Sequence, residues 1–158
     1  NTKQVIQNFF DEARLEGHLV ERPWIGFAHN RTEAIALCAG RADYAFMIDA
    51  DDLIEGNLNL TDLTAPGYRV RFGPHTVYWR PALFSLKKEW EFRGAVHEYA
   101  VCLDGSQTMN LEGDYNFFHV GAAWVAEKFH PNVLVVQERS AATSERSSSR
   151  EIVALPEA

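Results

Sequence analysis

The first forty residues carry two apolar patterns with the spacing of an α-helix. Between residues 5 and 13 an apolar side chain recurs every three or four positions, and Gly17 follows as a stop signal. These positions are Val5, Ile6, Phe9, Phe10 and Ala13. A second pattern of this kind extends over residues 30–39, with Gly40 behind it. The spacing therefore predicts two helices, separated by a short extended segment at residues 18–24.

A different pattern follows, which predicts strands. Tyr44–Ile48 is an uninterrupted apolar run, as expected of a central strand covered on both faces. The order strand, helix, strand up to this point predicts a right-handed parallel crossover unit. Residues 67–73 alternate large apolar side chains with arginines, and residues 76–84 follow a turn, so both predict half-exposed antiparallel strands. Residues 92–103 and 115–121 are further strand candidates. The fold class that we expect is α/β.

Length, charge and cysteine content narrow the possible functions. The 158 residues correspond to one domain, and the net charge of −7 argues against nonspecific binding of nucleic acid or anionic lipid. No apolar run approaches the roughly 20 residues of a membrane-spanning helix, and the start lacks the layout of a signal peptide. We therefore expect a cytoplasmic protein without a transmembrane segment or a nucleic-acid partner. Cys38 and Cys102 are far apart, which favours buried, reduced thiols.

Three aspartates lie within four positions directly after the predicted central strand. Ligands of open α/β sheets bind at the carboxyl ends of the strands. Asp49 and Asp51 are two positions apart, so on extended backbone their carboxylates leave the same side and can hold one divalent cation. Alternatively, one aspartate caps a following turn and the others are solvated. An EF-hand loop or a phosphatase motif is disfavoured, because Leu53 and Ile54 stand where those motifs need other residues.

Two longer segments, residues 29–56 and 78–99, together resemble the family 2 glycosyltransferases of the GT-A fold. The likeness is to bacterial members whose catalytic domain is followed by tetratricopeptide repeats, and it covers roughly residues 1–113. It includes an N-R-x-x-A helix, a D-x-D motif and a W-x-F-x-G-x-V-H-E segment in the family's order. The resemblance implies a Rossmann-like mixed sheet with flanking helices. It also implies an inverting enzyme that moves a sugar from a nucleotide-sugar donor to an acceptor hydroxyl.

The resemblance implies a role for several residues on the donor side. Asp49 and Asp51 correspond to the metal-binding D-x-D, whose Mn²⁺ or Mg²⁺ ion bridges the donor diphosphate. Asn30 and Arg31 match the start of the family's donor-side helix, which implies contact with the nucleotide sugar. From the residues alone, Arg31 could instead form a surface ion pair with Glu33 or Asp43.

On the acceptor side, Glu98 matches the family's catalytic carboxylate, and His97 lies beside it. The implied acceptor is a hydroxyl of a carbohydrate, lipid or protein, and Glu98 would accept its proton. Without the resemblance, Glu98 would be interpreted as a surface residue and His97 as a hydrogen-bonded structural histidine. His119 resembles a late histidine that ligates the metal in some relatives, although a core position is the preferred interpretation. Three aromatic residues are expected in the core or stacked on a sugar: Trp79, Trp90 and Tyr99.

The chain departs from the family pattern at both ends. Residues 1–6 match the end of a motif that follows the family's first strands, so residues 1–120 are predicted to be a partial catalytic domain, inactive alone. Without those strands, one neighbour of the central strand would be missing. Residues 121–158 are predicted to be a divergent C-terminal helix and a serine-rich tail. The alternative function is a catalytically inactive or structural α/β module that binds metal or phosphate.

Overall fold

The structure is a computed structural model that describes residues 2–14, 17–49, 52–73, 76–95, 97–119, 132–137 and 151–155. Within these ranges the chain forms two helices, α1 (Thr2–Ala13) and α2 (Phe27–Leu37). The strands, in chain order, are β1 (His18–Leu19), β2 (Tyr44–Ile48), β3 (Asp52–Gly56), β4 (Gly67–Phe72), β5 (Tyr78–Ser85), β6 (Trp90–Arg93), β7 (Tyr99–Cys102), β8 (Met109–Asn110), β9 (Tyr115–His119), β10 (Asn132–Gln137) and β11 (Glu151–Leu155). Mixed strand directions and the two helices confirm the α/β class.

A large mixed sheet organises these elements. Its strand order is β1-β11-β10-β2-β5-β4-β9-β3, with β8 pairing β4 off this path. A separate antiparallel hairpin is formed by β6 and β7. The apolar run β2 lies in the interior of the large sheet, paired with β5 on one side and β10 on the other. The prediction of a central strand is therefore confirmed.

The predicted crossover unit is only partly correct. β1 pairs in parallel with β11, and the next two pairings along the sheet, β11 with β10 and β10 with β2, are antiparallel. β1 and β2 therefore run in the same direction, as predicted, but two strands lie between them. Both direct neighbours of β2 are antiparallel to it. The reason is that residues 132–137 and 151–155 insert between the two strands, which local sequence order does not reveal.

The neighbour that we expected to be missing beside β2 is supplied by β10. The described parts of the range 121–158, residues 132–137 and 151–155, are strands, and the helix predicted within this range stays a prediction. The sequence of β10, NVLVVQ, is rich in valine, and β-branched residues favour extended backbone. The serine-rich segment 140–150 lies outside the described residues, and the predicted boundary at residue 120 stays a prediction.

Burial on both faces explains why β2 is apolar without interruption. Ala45 and Met47 belong to a core cluster that includes residues of α2, β5 and the β6–β7 hairpin. Tyr44 and Phe46 point to the opposite face and join a second cluster with residues of β4, β5 and β9. Successive side chains of a strand leave opposite faces, so neither set can be polar. Cys38 and Cys102 are both buried thiols, as predicted. No helix in the described part of the chain is long and apolar enough to cross a bilayer.

A glycine at the end of β3 is required by both its conformation and its surroundings. Gly56 has φ of 86°, and a side chain there would collide with the carbonyl oxygen of Asp114. Gly105 has φ of 80°, but a Cβ at that position would meet nothing within 4 Å. A substitution at either glycine would therefore strain the backbone, but only a substitution at Gly56 would also produce a collision.

Gly56→Ala is expected to lower the free energy of unfolding by about 3 kcal/mol, because positive φ costs about 1 kcal/mol and the collision adds overpacking. The matched control Gly105→Ala should cost only about 1 kcal/mol, since it keeps the strain without the collision. Urea denaturation followed by circular dichroism measures both values. Equal losses in the two variants would contradict a steric role for Gly56.

Candidate functional site

A cleft opens at the carboxyl end of β2, where Asp49 follows the strand. β5 is antiparallel to β2, so the first residues of β5 lie beside this end and bring Arg80 to the cleft. The cleft volume is about 140 Å³. Its charged lining consists of Arg31, Asp49, Arg80 and Glu98. The three motifs of the sequence analysis thus each contribute a residue to one cavity.

Asp49 is held by two arginines from different elements. Its Oδ1 accepts a hydrogen bond of 2.9 Å from Arg31 Nη2 on α2, and its Oδ2 accepts one of 2.9 Å from Arg80 Nη1 on β5. The side chain of Asp49 is 21% exposed. The interpretation of Asp49 as a solvated residue is therefore wrong, because both carboxylate oxygens are paired with guanidinium groups.

Asp52 closes the turn that follows β2. Its Oδ2 accepts a hydrogen bond of 3.0 Å from the Asp49 N–H, and its own N–H donates to the Asp49 carbonyl oxygen at 3.0 Å. Its carboxylate also accepts a hydrogen bond from Arg80 and is fully buried. The side chain of Asp52 thus bonds back to the first residue of the turn that precedes it, so the alternative in which one aspartate caps a following turn is not confirmed. Burial raises the pKa of its carboxyl, and the Arg80 guanidinium opposes that rise.

Arg80 is fixed by an aromatic ring as well as by carboxylates. Its guanidinium carbon lies 4.1 Å from the ring centre of Phe72, within the range of a cation–π contact. The same ring stacks against His119, with ring centres 5.2 Å apart. One side of Arg80 is therefore covered, while Nη1 faces Asp49.

His119 lies at the edge of this cluster and is exposed, so the preferred interpretation as a core histidine is wrong. β9 pairs with β3 so that His119 is opposite Asp52, which places Nδ1 2.8 Å from Asp52 Oδ1. This contact does not have the geometry of a hydrogen bond. Asp52 Oδ1 is therefore a buried oxygen atom without a hydrogen-bond partner. The other ring nitrogen, Nε2, lies 2.9 Å from the hydroxyl oxygen of Tyr78.

Glu98 reaches the cleft from the loop of the β6–β7 hairpin. Its Oε1 lies 2.7 Å from Arg31 Nη1, and its side chain is 12% exposed. It is therefore not a surface glutamate. His97 is exposed, has φ of 58° and does not line the cleft. Of the two residues predicted on the acceptor side, only Glu98 lies at the cavity.

Arg31 makes neither of the ion pairs that we considered for it. Glu33 instead accepts a hydrogen bond from Arg22 Nε at 2.8 Å, whereas Arg31 binds Asp49 and Glu98. The guanidinium carbon of Arg31 also lies 5.8 Å from the ring centre of Phe27 and 5.9 Å from that of Phe92. Its Nε is buried without a hydrogen-bond partner.

Asn30, the other residue expected on the donor side, supports the start of α2. Its Oδ1 accepts hydrogen bonds from the N–H groups of Ile25 and Gly26, at 2.9 and 3.1 Å. Its Nδ2 donates to the carbonyl oxygen of Pro23 at 2.9 Å. Asn30 therefore positions the helix that carries Arg31, and direct contact with a ligand stays a prediction.

The three aromatic residues occupy different environments. Trp90 is buried against Phe84, with ring centres 5.1 Å apart, and Trp79 is partly buried. Tyr99 is 59% exposed and lines the cleft, so the core position expected for it is wrong. For Tyr99, stacking on a sugar ring stays a prediction.

Among the described residues no group of three or more histidine, cysteine, aspartate or glutamate side chains is placed to hold a metal ion. Asp51, the second residue of the D-x-D, lies outside the described residues. Asp49 has the hard oxygen ligands that Mn²⁺ and Mg²⁺ prefer. Because both oxygens already accept hydrogen bonds from arginines, a cation bound there would have to compete with two guanidinium groups.

Arg80 is the site residue that sequence reasoning missed. A signal was present, since Arg80 is the single charged residue within the otherwise largely apolar segment 76–84. A charge at such a position is usually paired when the segment is buried.

Comparison of the chain with models of known protein families and with curated proteins gave no match.

Proposed function

We propose that the chain belongs to a phosphate-binding class of α/β transferase domain. More narrowly, we propose the catalytic domain of an inverting glycosyltransferase of the family 2, GT-A type. The observation that carries the proposal is the convergence of three distant motifs. Arg31, Asp49 and Glu98 meet in one cleft at the carboxyl end of β2, joined by ion pairs of 2.9 and 2.7 Å. Such a strand end is where ligands of α/β sheets bind.

The donor half of the reaction would take place at Asp49 and Arg31. When the bond between the anomeric carbon and the diphosphate oxygen breaks, negative charge develops on the leaving nucleoside diphosphate. A bound Mn²⁺ or Mg²⁺ ion supplies electrostatic stabilisation of this charge, and Asp49, with Asp51 of the same motif, would hold it. Arg31 contributes a fixed positive charge at the same place.

The acceptor half would take place at Glu98. As the acceptor oxygen forms its bond to the anomeric carbon, its proton passes to the Glu98 carboxylate, which acts as general base. Glu98 is anchored to Arg31 at 2.7 Å, so its position relative to the donor side is fixed. Tyr99, exposed at the cleft, offers a ring on which the acceptor sugar can stack.

A specific observation favours a second candidate, an inert structural module. Each acidic side chain described at the site is already paired with an arginine: Asp49 with both, Asp52 with Arg80 and Glu98 with Arg31. A network of this kind needs no ligand, because its ion pairs already join α2, β2, β5 and the hairpin to one another. The two candidates differ in whether a ligand competes for these arginines.

A ligand screen with a transfer assay tests the proposal. Nucleoside diphosphates and nucleotide sugars are added with Mn²⁺, with Mg²⁺ and without metal, and the melting temperature and sugar transfer are recorded. Ligand at 100 times its dissociation constant should stabilise the protein by about 2.7 kcal/mol, because it binds only the folded state. Arg22→Gln, which removes an exposed arginine outside the cleft, serves as the control. Absence of any metal-dependent shift together with absence of transfer would favour the inert module.

A further inference from the structure

Each of the two arginines at Asp49 is held in place by contacts that do not involve Asp49. Arg80 is anchored by the buried carboxylate of Asp52 and by the Phe72 ring. Arg31 is anchored by Glu98 and by the Phe27 and Phe92 rings. If the Asp49 carboxylate withdrew, both guanidinium groups would keep their positions and would each present an N–H group to the cleft.

Charge balance shows what can enter this cleft. Leaving aside His119 beside Asp52, the ion-paired groups are two arginines and three carboxylates, which together carry one net negative charge. An anion that binds both arginines at the cleft therefore has to compete with the carboxylates that they already bind. Asp52 cannot move aside readily, because it is fully buried and also binds the Asp49 N–H. Glu98 is bound only to Arg31. Asp49 is bound to both arginines, is partly exposed and lines the cleft, so it is the carboxylate whose movement frees both of them.

We propose that Arg31 and Arg80 form a diphosphate-binding pair that exchanges Asp49 for phosphate oxygens when the ligand enters. This inference rests on the proposed function and adds Arg80 to its donor site. Guanidinium groups bind phosphate oxygens through charge-assisted hydrogen bonds. The exchange also releases the Asp49 carboxylate, so that anion binding favours the binding of a divalent cation and the reverse.

The size and lining of the cleft agree with a phosphate-containing group rather than a complete nucleotide sugar. Its volume of about 140 Å³ is smaller than the roughly 300–1,000 Å³ of typical small-molecule sites. Met47, Pro81 and Phe92 form an apolar wall beside the arginines. Hydrogen bonds to charged groups are stronger in such surroundings than in water.

Calorimetric titration with inorganic pyrophosphate, in buffer freed of metal ions by a chelating resin, tests the exchange. A dissolved chelator is avoided because it is itself an anion. Asp49→Asn should bind pyrophosphate about 10-fold more tightly than the unmodified protein, because a charged competitor for both arginines has been removed. If Asp49 served only as a metal ligand, this variant would show no gain without metal.

Two further substitutions, each combined with Asp49→Asn, show whether the gain in pyrophosphate affinity depends on the arginines. Arg31→Gln and Arg80→Lys should each abolish it, whereas the control Arg22→Gln should leave it unchanged. Lysine is chosen at position 80 because it keeps a positive charge beside buried Asp52, and circular dichroism checks that each variant is folded. Unchanged or weaker pyrophosphate binding in Asp49→Asn would overturn the exchange. So would a gain that survives both arginine substitutions.

The same titrations with uridine and guanosine diphosphate, with and without Mn²⁺, separate this inference from the proposed function. Tighter binding of pyrophosphate by Asp49→Asn would support the exchange even if no nucleotide sugar is ever transferred. Conversely, sugar transfer by a protein in which Asp49→Asn shows no metal-free gain would leave the glycosyltransferase function standing and overturn the exchange.

Discussion

Replacing Glu98 with glutamine is expected to lower the turnover number for sugar transfer by about 100-fold, with little change in the KM for the donor. A general base acts only as the acceptor loses its proton, and its loss typically costs at least this factor. The change corresponds to about 2.7 kcal/mol in activation free energy. Glutamine keeps an oxygen that can accept from Arg31, so the 2.7 Å contact that positions the loop has a substitute. Steady-state kinetics with varied donor and acceptor measure both parameters.

The control for this variant is Glu91→Gln in the same hairpin. Glu91 is paired with Arg93 at 2.8 Å and does not line the cleft, so turnover should be unaffected. If His97→Asn lowers turnover and Glu98→Gln does not, the base is His97. Should the 158 residues alone give no turnover, the comparison is repeated after strands of the kind that the resemblance implies have been added before residue 1.

Arg80→Met is expected to lower the free energy of unfolding by about 3 kcal/mol, the largest effect on stability that we predict for the site. Methionine preserves most of the packing on Phe72 but removes the cation beside Asp52, whose side chain is fully buried. A buried ion pair that loses one partner typically costs about 3–5 kcal/mol, because the remaining charge is uncompensated. Chemical denaturation at neutral pH measures the loss.

A double variant separates charge from packing in this prediction. In Asp52→Asn/Arg80→Met no buried charge remains unpaired, so at least half of the lost stability should return. Arg93→Met, which breaks the exposed pair with Glu91, should cost about 1 kcal/mol or less. A double variant no more stable than Arg80→Met would show that the guanidinium acts through packing rather than through the Asp52 charge.

Much of the fold follows from local patterns. The apolar run Tyr44–Ile48 and the alternation in residues 67–73 each predict a strand that the structure contains. β3 was missed because Leu53 and Ile54 are both exposed and give no alternating pattern. Residues 92–103 were predicted as one strand, yet they form a hairpin because positive φ at Gly94 and His97 interrupts the extended backbone.

The site was less predictable because its contacts cross the fold. Choosing Glu33 as a partner for Arg31 relied on nearness in sequence, but helical residues two positions apart do not face each other. The actual partners, Asp49 and Glu98, follow from the packing of α2 on the β6–β7 hairpin beside β2. The resemblance brought Asp49 and Glu98 into consideration. Nothing in either motif indicated that Arg80 would lie between Asp49 and Asp52.

The pairing of β2 has a consequence for the order in which the protein is assembled. β5 follows β2 after a moderate interval, whereas β10 is one of the last two strands described in the chain. Pairs that are distant in sequence form late in folding, because a long loop must be closed before they contribute stability. During synthesis, β2 can therefore pair on the β5 side first. Its other edge stays open to unwanted pairing until residues 132–137 have left the ribosome.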